Sequence, residues 1–202
     1  MSLSILQDAR LYGLLHRLDL DLAQTTRASG CPHCGDVLHS ARYPRKPRGG
    51  PPELDTEYDW RFSFCCAREG CRRRQMPPSV RFLGRRVYFG AVVVLVCALR
   101  DGLSPRRVQE LRALLGVDRR TLRRWRAWWR EGFPKTGFWR TAQAGFVPPV
   151  DAAALPGSLL ERFAGADETL RLCRVLRFLA PLAGGSFLRA GRFPQKMRVD
   201  CH

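Results

Sequence analysis

The chain has 202 residues, of which 45% are apolar and 26% charged, proportions that are typical of a folded globular protein and argue against wholesale disorder. This length allows one or two domains and excludes a large catalytic domain beside separate binding modules. Lysine and arginine total 35 against 18 acidic residues, and most of the resulting net charge of +17 lies between Arg61 and Arg140. A basic excess of this size is typical of proteins that bind a phosphate backbone, so we expect a polyanion site in that stretch.

The sequence contains no pattern typical of a signal peptide or a membrane span. The first residues include Asp8 and Arg10 and no small-residue cleavage site. The most apolar run, 87–99, has 13 residues, whereas about 20 are needed to cross a bilayer. We therefore expect a soluble, cytoplasmic protein that associates with the nucleoid.

The first predicted segment, 1–30, is helical, because leucines recur at close to helical spacing over 3–28 and Gly30 ends the pattern. In the next segment, 31–84, short alternating stretches such as 58–66 predict strands and loops.

This second segment contains five of the eight cysteines, arranged in two knuckles. Cys31 and Cys34 form a C-x₂-C motif followed by glycine, and the second knuckle ends at Cys71. Two knuckles joined by short strands indicate a zinc ribbon, in which one structural Zn²⁺ ion is held by four thiolates with no open coordination position. Disulfides are a poor alternative in a chain without a secretion signal.

The third ligand is either Cys65 or Cys66. In an alternating strand Cys66 shares a face with Phe62 and Phe64, and it leaves the shorter, commoner loop before Cys71, so we choose Cys66. We expect the remaining cysteines of the helical regions, Cys97 and Cys173, to be core residues, and His33 to face solvent. The predicted metal ligands are Cys31, Cys34, Cys66 and Cys71.

The third segment, 85–140, is predicted to be a helix-turn-helix domain that begins with a buried helix at 86–100. Ser104 followed by proline is typical of a helix start, and Gly116 is typical of a helix end. Asp118 then caps a second helix, 119–131, whose basic side faces away from its tryptophans.

The second helix of this pair has the composition of a recognition helix. Its N-terminal turns are those that reach base edges in the major groove, where arginine pairs with guanine O6 and N7 or contacts phosphates. The alternative is a solvated arginine face on an ordinary bundle helix, which we favour less because such faces normally carry acidic residues as well. The predicted DNA contacts are Arg119, Arg120, Thr121, Arg123 and Arg124, with Arg72, Arg73 and Arg74 beside the ribbon. Weaker candidates for phosphate contacts are Arg81, Arg85 and Arg86.

The fourth segment, 141–202, is predicted to be a linker, an amphipathic helix at 158–180 and a tail. The apolar stripe of that helix either packs inside the molecule or docks a partner or a second copy of the chain. The stripe consists of Leu159, Leu160, Phe163, Leu170, Leu172, Leu176 and Phe178.

A Cys₄ ribbon followed directly by a Thr-x-x-Arg-Trp helix-turn-helix resembles the N-terminal DNA-binding half of insertion-sequence transposases. The resemblance covers about 31–132 and is carried by Cys31-Pro-His-Cys34, by Cys71 with the three arginines after it, and by the run from Gly116 to Trp125. The segment 77–88, Pro-Pro-Ser-Val-Arg-Phe-Leu-Gly-Arg-Arg-Val-Tyr, also resembles small bacterial proteins found with mobile elements. The resemblance implies a part in DNA recognition.

The sequence departs from those transposases after the helix pair. Only about 70 residues follow, and their few carboxylates lie in no strand pattern that would hold a catalytic two-metal site. We therefore expect no enzyme activity, but a zinc-stabilised, sequence-specific DNA-binding protein with a recognition, accessory or regulatory role. The expected partner is double-stranded DNA, with a separate recombinase or a second copy as further candidates. The alternative function is an RNA-binding or ribonucleoprotein scaffold subunit. The fold class expected is α+β, mostly α: a small ribbon, then a helical bundle, then a C-terminal helix.

Overall fold

The computed structural model describes residues 3–84, 86–99 and 104–184, which form an α-rich fold with one small sheet, as expected from the sequence. None of the helices in these ranges is both long and apolar enough to cross a bilayer. The helices are α1 (Ala9–Ala28), α2 (Gly90–Ala98), α3 (Pro105–Leu115), α4 (Arg119–Ala127), α5 (Gly137–Ala142), α6 (Gly157–Leu160) and α7 (Glu168–Leu179). The strands are β1 (Leu38–Pro44), β2 (Trp60–Cys66) and β3 (Arg74–Gln75).

The N-terminal α-helix begins at Ala9, whereas the predicted helical pattern begins at residue 3. A 3₁₀ turn, Leu3–Gln7, precedes it, and the Asp8 carboxylate caps α1 by accepting a hydrogen bond of 2.9 Å from the Arg10 amide. Leu11 and Leu15 are buried on the inner face of α1, in agreement with the predicted leucine pattern.

The sheet is antiparallel in the order β1-β2-β3, with Leu38 paired to Cys66 at one end of the first two strands. Both faces of β2 are covered. Phe64 and Cys66 pack against Leu38 and Ala23 in a small core, while Arg61 and Ser63 are buried on the other side.

A second core unites the rest of the molecule. It takes side chains from all four predicted segments, including Leu15, Leu83, Trp129 and Leu176. Its centre is α2, in which every residue from Gly90 to Cys97 is buried.

The prediction that α2 begins at residue 86 was wrong. Residues 87–89 are extended instead, because the Arg48 amide donates to the Val87 carbonyl at 2.8 Å and the Phe89 amide donates to the Arg48 carbonyl at 3.1 Å. A helix over these residues would break both backbone hydrogen bonds.

The prediction of one continuous helix at 158–180 was also wrong, because the chain bends between α6 and α7. Asp167 caps α7 by accepting a 2.7 Å hydrogen bond from the Leu170 amide. At Gly165 a Cβ atom would lie 2.7 Å from the Arg171 amide, so the bend is tight. The predicted apolar stripe packs largely into the main core, apart from Leu170, which is exposed. The predicted tail from residue 185 lies outside the described residues.

Candidate metal centre and candidate nucleic-acid interface

The sulfur atoms of Cys31, Cys34, Cys66 and Cys71 all lie within 4.8 Å of one another. The Sγ atoms of Cys31 and Cys71 are 3.8 Å apart, and those of Cys34 and Cys66 are 3.4 Å apart. Four thiolates at about 2.3 Å from a tetrahedral Zn²⁺ ion have sulfurs about 3.8 Å apart. The cluster therefore has the spacing of a four-thiolate metal site.

The first knuckle is a tight loop closed by its own backbone. The Cys31 amide donates to the Asp36 carbonyl and the Gly35 amide donates to the Cys31 carbonyl, both at 2.8 Å. Gly35 has φ +75°, and a Cβ atom on Gly30 would lie 2.9 Å from the Gly35 carbonyl oxygen, so both positions favour glycine. Hydrogen bonds from the His33 amide, and then from the Cys34 amide, lower the pKa of Cys31 to about 7.

The second knuckle brings Cys66, rather than its neighbour, to the cluster. Cys66 is fully buried at the end of β2, and burial raises the pKa of its thiol to about 12. The Cys65 sulfur points away from the cluster and lies 3.5 Å from the Arg72 carbonyl oxygen. This arrangement follows from the side-chain alternation of a strand, as the sequence predicts.

The other described thiols and the knuckle histidine lie outside the cluster. Cys97 and Cys173 are buried in the main core, where burial raises their pKa to about 12 and about 11. His33 is exposed, and its Nδ1 lies 3.0 Å from the Arg73 guanidinium. The three predicted phosphate contacts after the second knuckle, Arg72, Arg73 and Arg74, are all exposed.

The predicted helix pair is present, with the expected ends of α3 and the expected start of α4. The α-helix predicted over 119–131 ends at Ala127, and a π-helical turn, Trp128–Gly132, follows it. The Ser104 hydroxyl caps α3 by accepting a 3.3 Å hydrogen bond from the Arg107 amide. Gly116 ends α3 in the left-handed conformation, with φ +64°. After a turn of three residues, the Asp118 carboxylate caps α4 by accepting a 2.7 Å hydrogen bond from the Thr121 amide. That hydrogen bond holds the pKa of Asp118 below its usual range.

The inner face of α4 fixes the orientation of the helix. Leu122 and Trp125 are buried on this face, and Trp129, just beyond the end of α4, is buried as well. The Tyr88 ring makes an edge contact with Trp125 at 4.9 Å between centroids, and its hydroxyl donates to the Gly116 carbonyl at 2.7 Å. Tyr88 therefore connects the turn to α4, a role that its place in an apolar run did not reveal.

The outer face of α4 brings together four of the five residues of this helix that were predicted to contact DNA. Arg119, Arg120, Arg123 and Arg124 are exposed. Across the described ranges, none of these four guanidinium groups has a carboxylate within 4.0 Å. Thr121 differs, because it is buried and its hydroxyl lies 3.3 Å from the Asp118 carboxylate, to which it donates.

The three weaker candidates for phosphate contacts differ in outcome. Arg81 was predicted wrongly, because its side chain is fully buried in an ion pair with Asp19. Arg85 lies outside the described residues. Arg86 is half-buried, and its guanidinium carbon lies 3.7 Å from the ring centroid of Trp128, in the π-helical turn Trp128–Gly132 that continues α4.

A scan of the chain against protein-family models finds no match, and no curated protein or solved structure shows significant similarity to it.

Proposed function

We propose that the protein is a zinc-stabilised, sequence-specific DNA-binding protein in which α3, the turn and α4 act as a helix-turn-helix. The observation that carries this proposal is the outer face of α4, where four exposed arginines have no carboxylate within 4.0 Å among the described residues. On α3, by contrast, Arg106 and Arg107 are paired with Glu110, as is common on a solvated helix.

The proposed metal is Zn²⁺ in a structural role. Thiolates are ligands that zinc binds well, and the sulfur spacing fits its tetrahedral coordination. Four thiolates complete the tetrahedral coordination of Zn²⁺, so a bound ion would have no open position for water or substrate. When bound, the ion joins two knuckles that lie 32 residues apart at Cys34 and Cys66.

The proposed contacts divide into two kinds. Arg120 and Arg123 lie on the exposed face of the first turns of α4, and we assign them to guanine edges in the major groove. Arg72, Arg73 and Arg74, on the exposed second knuckle, suit phosphates and carry no sequence preference of their own. The rigid support of α4 by Tyr88 favours base reading, since a base contact tolerates little error in position.

The proposed biological role is recognition of a mobile element's DNA, either as an accessory to a separate recombinase or as a regulator. The resemblance of the cysteine knuckles and of the Thr-x-x-Arg-Trp helix to insertion-sequence transposases supports this role.

Substitution of one arginine tests the proposal. In the Arg120→Ala variant, the binding free-energy difference between the preferred base pair and the others should fall by roughly 1–3 kcal/mol at one position of the bound sequence. The preferences at the other positions should be unchanged. The matched control is Arg177→Ala, which removes an exposed arginine from α7 and should leave binding unchanged. Equal weakening on every sequence would make Arg120 a phosphate contact and would contradict the assignment.

A competition assay with the unsubstituted protein tests whether the partner is DNA or RNA. A structured RNA that displaces duplex DNA at equal concentration would support the scaffold alternative, since arginine also contacts RNA backbones. We expect the duplex to be retained.

A further inference from the structure

Beside α4 lies a cleft of about 470 Å³ that the contacts proposed above do not use. One wall is the extended stretch before α2, and the other is the C-terminal half of α4 with its π-helical turn. The cleft is lined by Arg86, Val87, Tyr88, Arg124, Trp125 and Trp128. It therefore combines two cations with aromatic surface, and none of its described lining residues is acidic.

Arg86 is held in place within this cleft. Its guanidinium lies against the Trp128 ring, and its Nη1 donates to the Leu83 carbonyl at 3.3 Å. That is the one hydrogen bond its side chain makes to the described part of the chain, although a guanidinium has five N–H donors. The group is thus fixed in position with donors left for a ligand.

The two arginines repel each other in this arrangement. Burial lowers the pKa of Arg86 to about 10; Cys97 opposes this shift, and the positive charge of Arg124 adds a smaller lowering effect. Neither guanidinium has a carboxylate within 4.0 Å in the ranges that the structure describes. Holding two like charges near a half-buried site costs free energy, and a bound anion would offset that cost.

The position of the cleft indicates which anion it suits. Arg124 lies four residues after Arg120, one helical turn further along the exposed face of α4. A DNA backbone that follows this face would pass the cleft, and a phosphate accepts hydrogen bonds from two guanidinium groups at once. The ring of Trp128 offers apolar surface to the adjoining sugar.

We infer that the cleft is a phosphate-binding subsite, in which Arg86 and Arg124 together hold one phosphate group of the bound DNA backbone; this inference rests on the function proposed above.

The test compares DNA affinities of single and double variants of the full zinc-loaded chain over a range of salt concentrations. Arg86→Gln and Arg124→Gln should each weaken binding roughly tenfold, equally on all sequences, as expected for loss of a charge-assisted hydrogen bond. Because both arginines hold the same phosphate, the double variant should lose less than the product of the two single losses. Its slope of log affinity against log salt should fall by about one.

The matched control is the pair Arg86→Gln and Arg120→Gln, whose losses should multiply because they contact different groups. Arg124 is exposed, so its variant tests the cleft even if Arg86→Gln disturbs the packing of Trp128. Losses that multiply for Arg86 and Arg124, or unchanged binding by the Arg124 variant, would overturn this inference alone. Absence of DNA binding by the unsubstituted protein would overturn the proposed function and the subsite with it.

Discussion

Asp19 and Arg81 form an ion pair in which both side chains are fully buried, with the Arg81 Nε 2.8 Å from the Asp19 Oδ2. The carboxylate also accepts hydrogen bonds from the Ser79 hydroxyl at 2.6 Å and from the Val80 amide at 2.7 Å. The other Arg81 donors reach two backbone carbonyls, those of Tyr58 and Trp60. The network thus joins α1, the start of β2 and the chain before α2 through groups that are individually costly to bury.

Breaking this pair should be among the most destabilising single changes in the molecule. Asp19→Asn leaves the Arg81 charge buried without its counter-ion, and we expect the free energy of unfolding to fall by roughly 3–5 kcal/mol. Urea denaturation measures the loss. The control is Asp21→Asn, an exposed aspartate on the same helix, which should change stability by less than about 0.5 kcal/mol. Equal midpoints for the two variants would show that the ion pair does not stabilise the fold.

Substitution at adjacent cysteines tests the metal centre. The Cys66→Ser variant should lose bound zinc, because its thiolate is one of four ligands, whereas Cys65→Ser should keep one zinc ion per chain. Elemental analysis of the purified proteins measures the content. Retention of zinc by the first variant and loss by the second would reverse the assignment.

Zinc affinity should fall as the pH falls. Burial raises the pKa of Cys66 to about 12, so without the ion this thiol keeps its proton at neutral pH and zinc must displace it. The hydrogen bonds that lower the pKa of Cys31 to about 7 make that thiol the easier one to deprotonate. Competition with a chelator of known affinity at pH 6, 7 and 8 measures the dependence. An affinity that is constant over this range would contradict thiolate coordination.

The turn between α3 and α4 requires a left-handed residue. Gly116→Ala should lower the free energy of unfolding by about 1–2 kcal/mol, because φ is +64° there while no atom lies within 4 Å of the added Cβ. Gly137→Ala is the matched control, since it has equally open space and no positive φ, and it should be neutral or slightly stabilising. Thermal unfolding of both variants separates a conformational cost from a steric one.

Features with a local cause could be predicted from the sequence. Ser104, Gly116 and Asp118 mark the ends of α3 and α4 through hydrogen bonds to residues a few positions away. The spacing of the cysteines and the alternation of β2 similarly predict which sulfurs converge. The basic outer face of α4 follows from helical periodicity alone.

Features that depend on distant partners could not be predicted in this way. In the sequence Arg81 is one basic residue among several, but in the structure it pairs with a carboxylate 62 residues earlier. Residues 87–89 have an apolar pattern that suits a helix, yet backbone pairing with Arg48 holds them extended. The contact of Arg86 with Trp128 likewise requires two segments whose packing the local pattern does not reveal.

Selection of random duplex DNA by the purified, zinc-loaded protein at near-physiological salt tests the central claim most directly. If the arginine face of α4 reads bases, a discrete motif a few base pairs long should be enriched, and Arg120→Ala should relax one of its positions. Its symmetry would also report whether one or two copies bind. Binding without enrichment, which collapses as salt rises, would contradict the claim and leave α4 as a helix that contacts only the phosphate backbone.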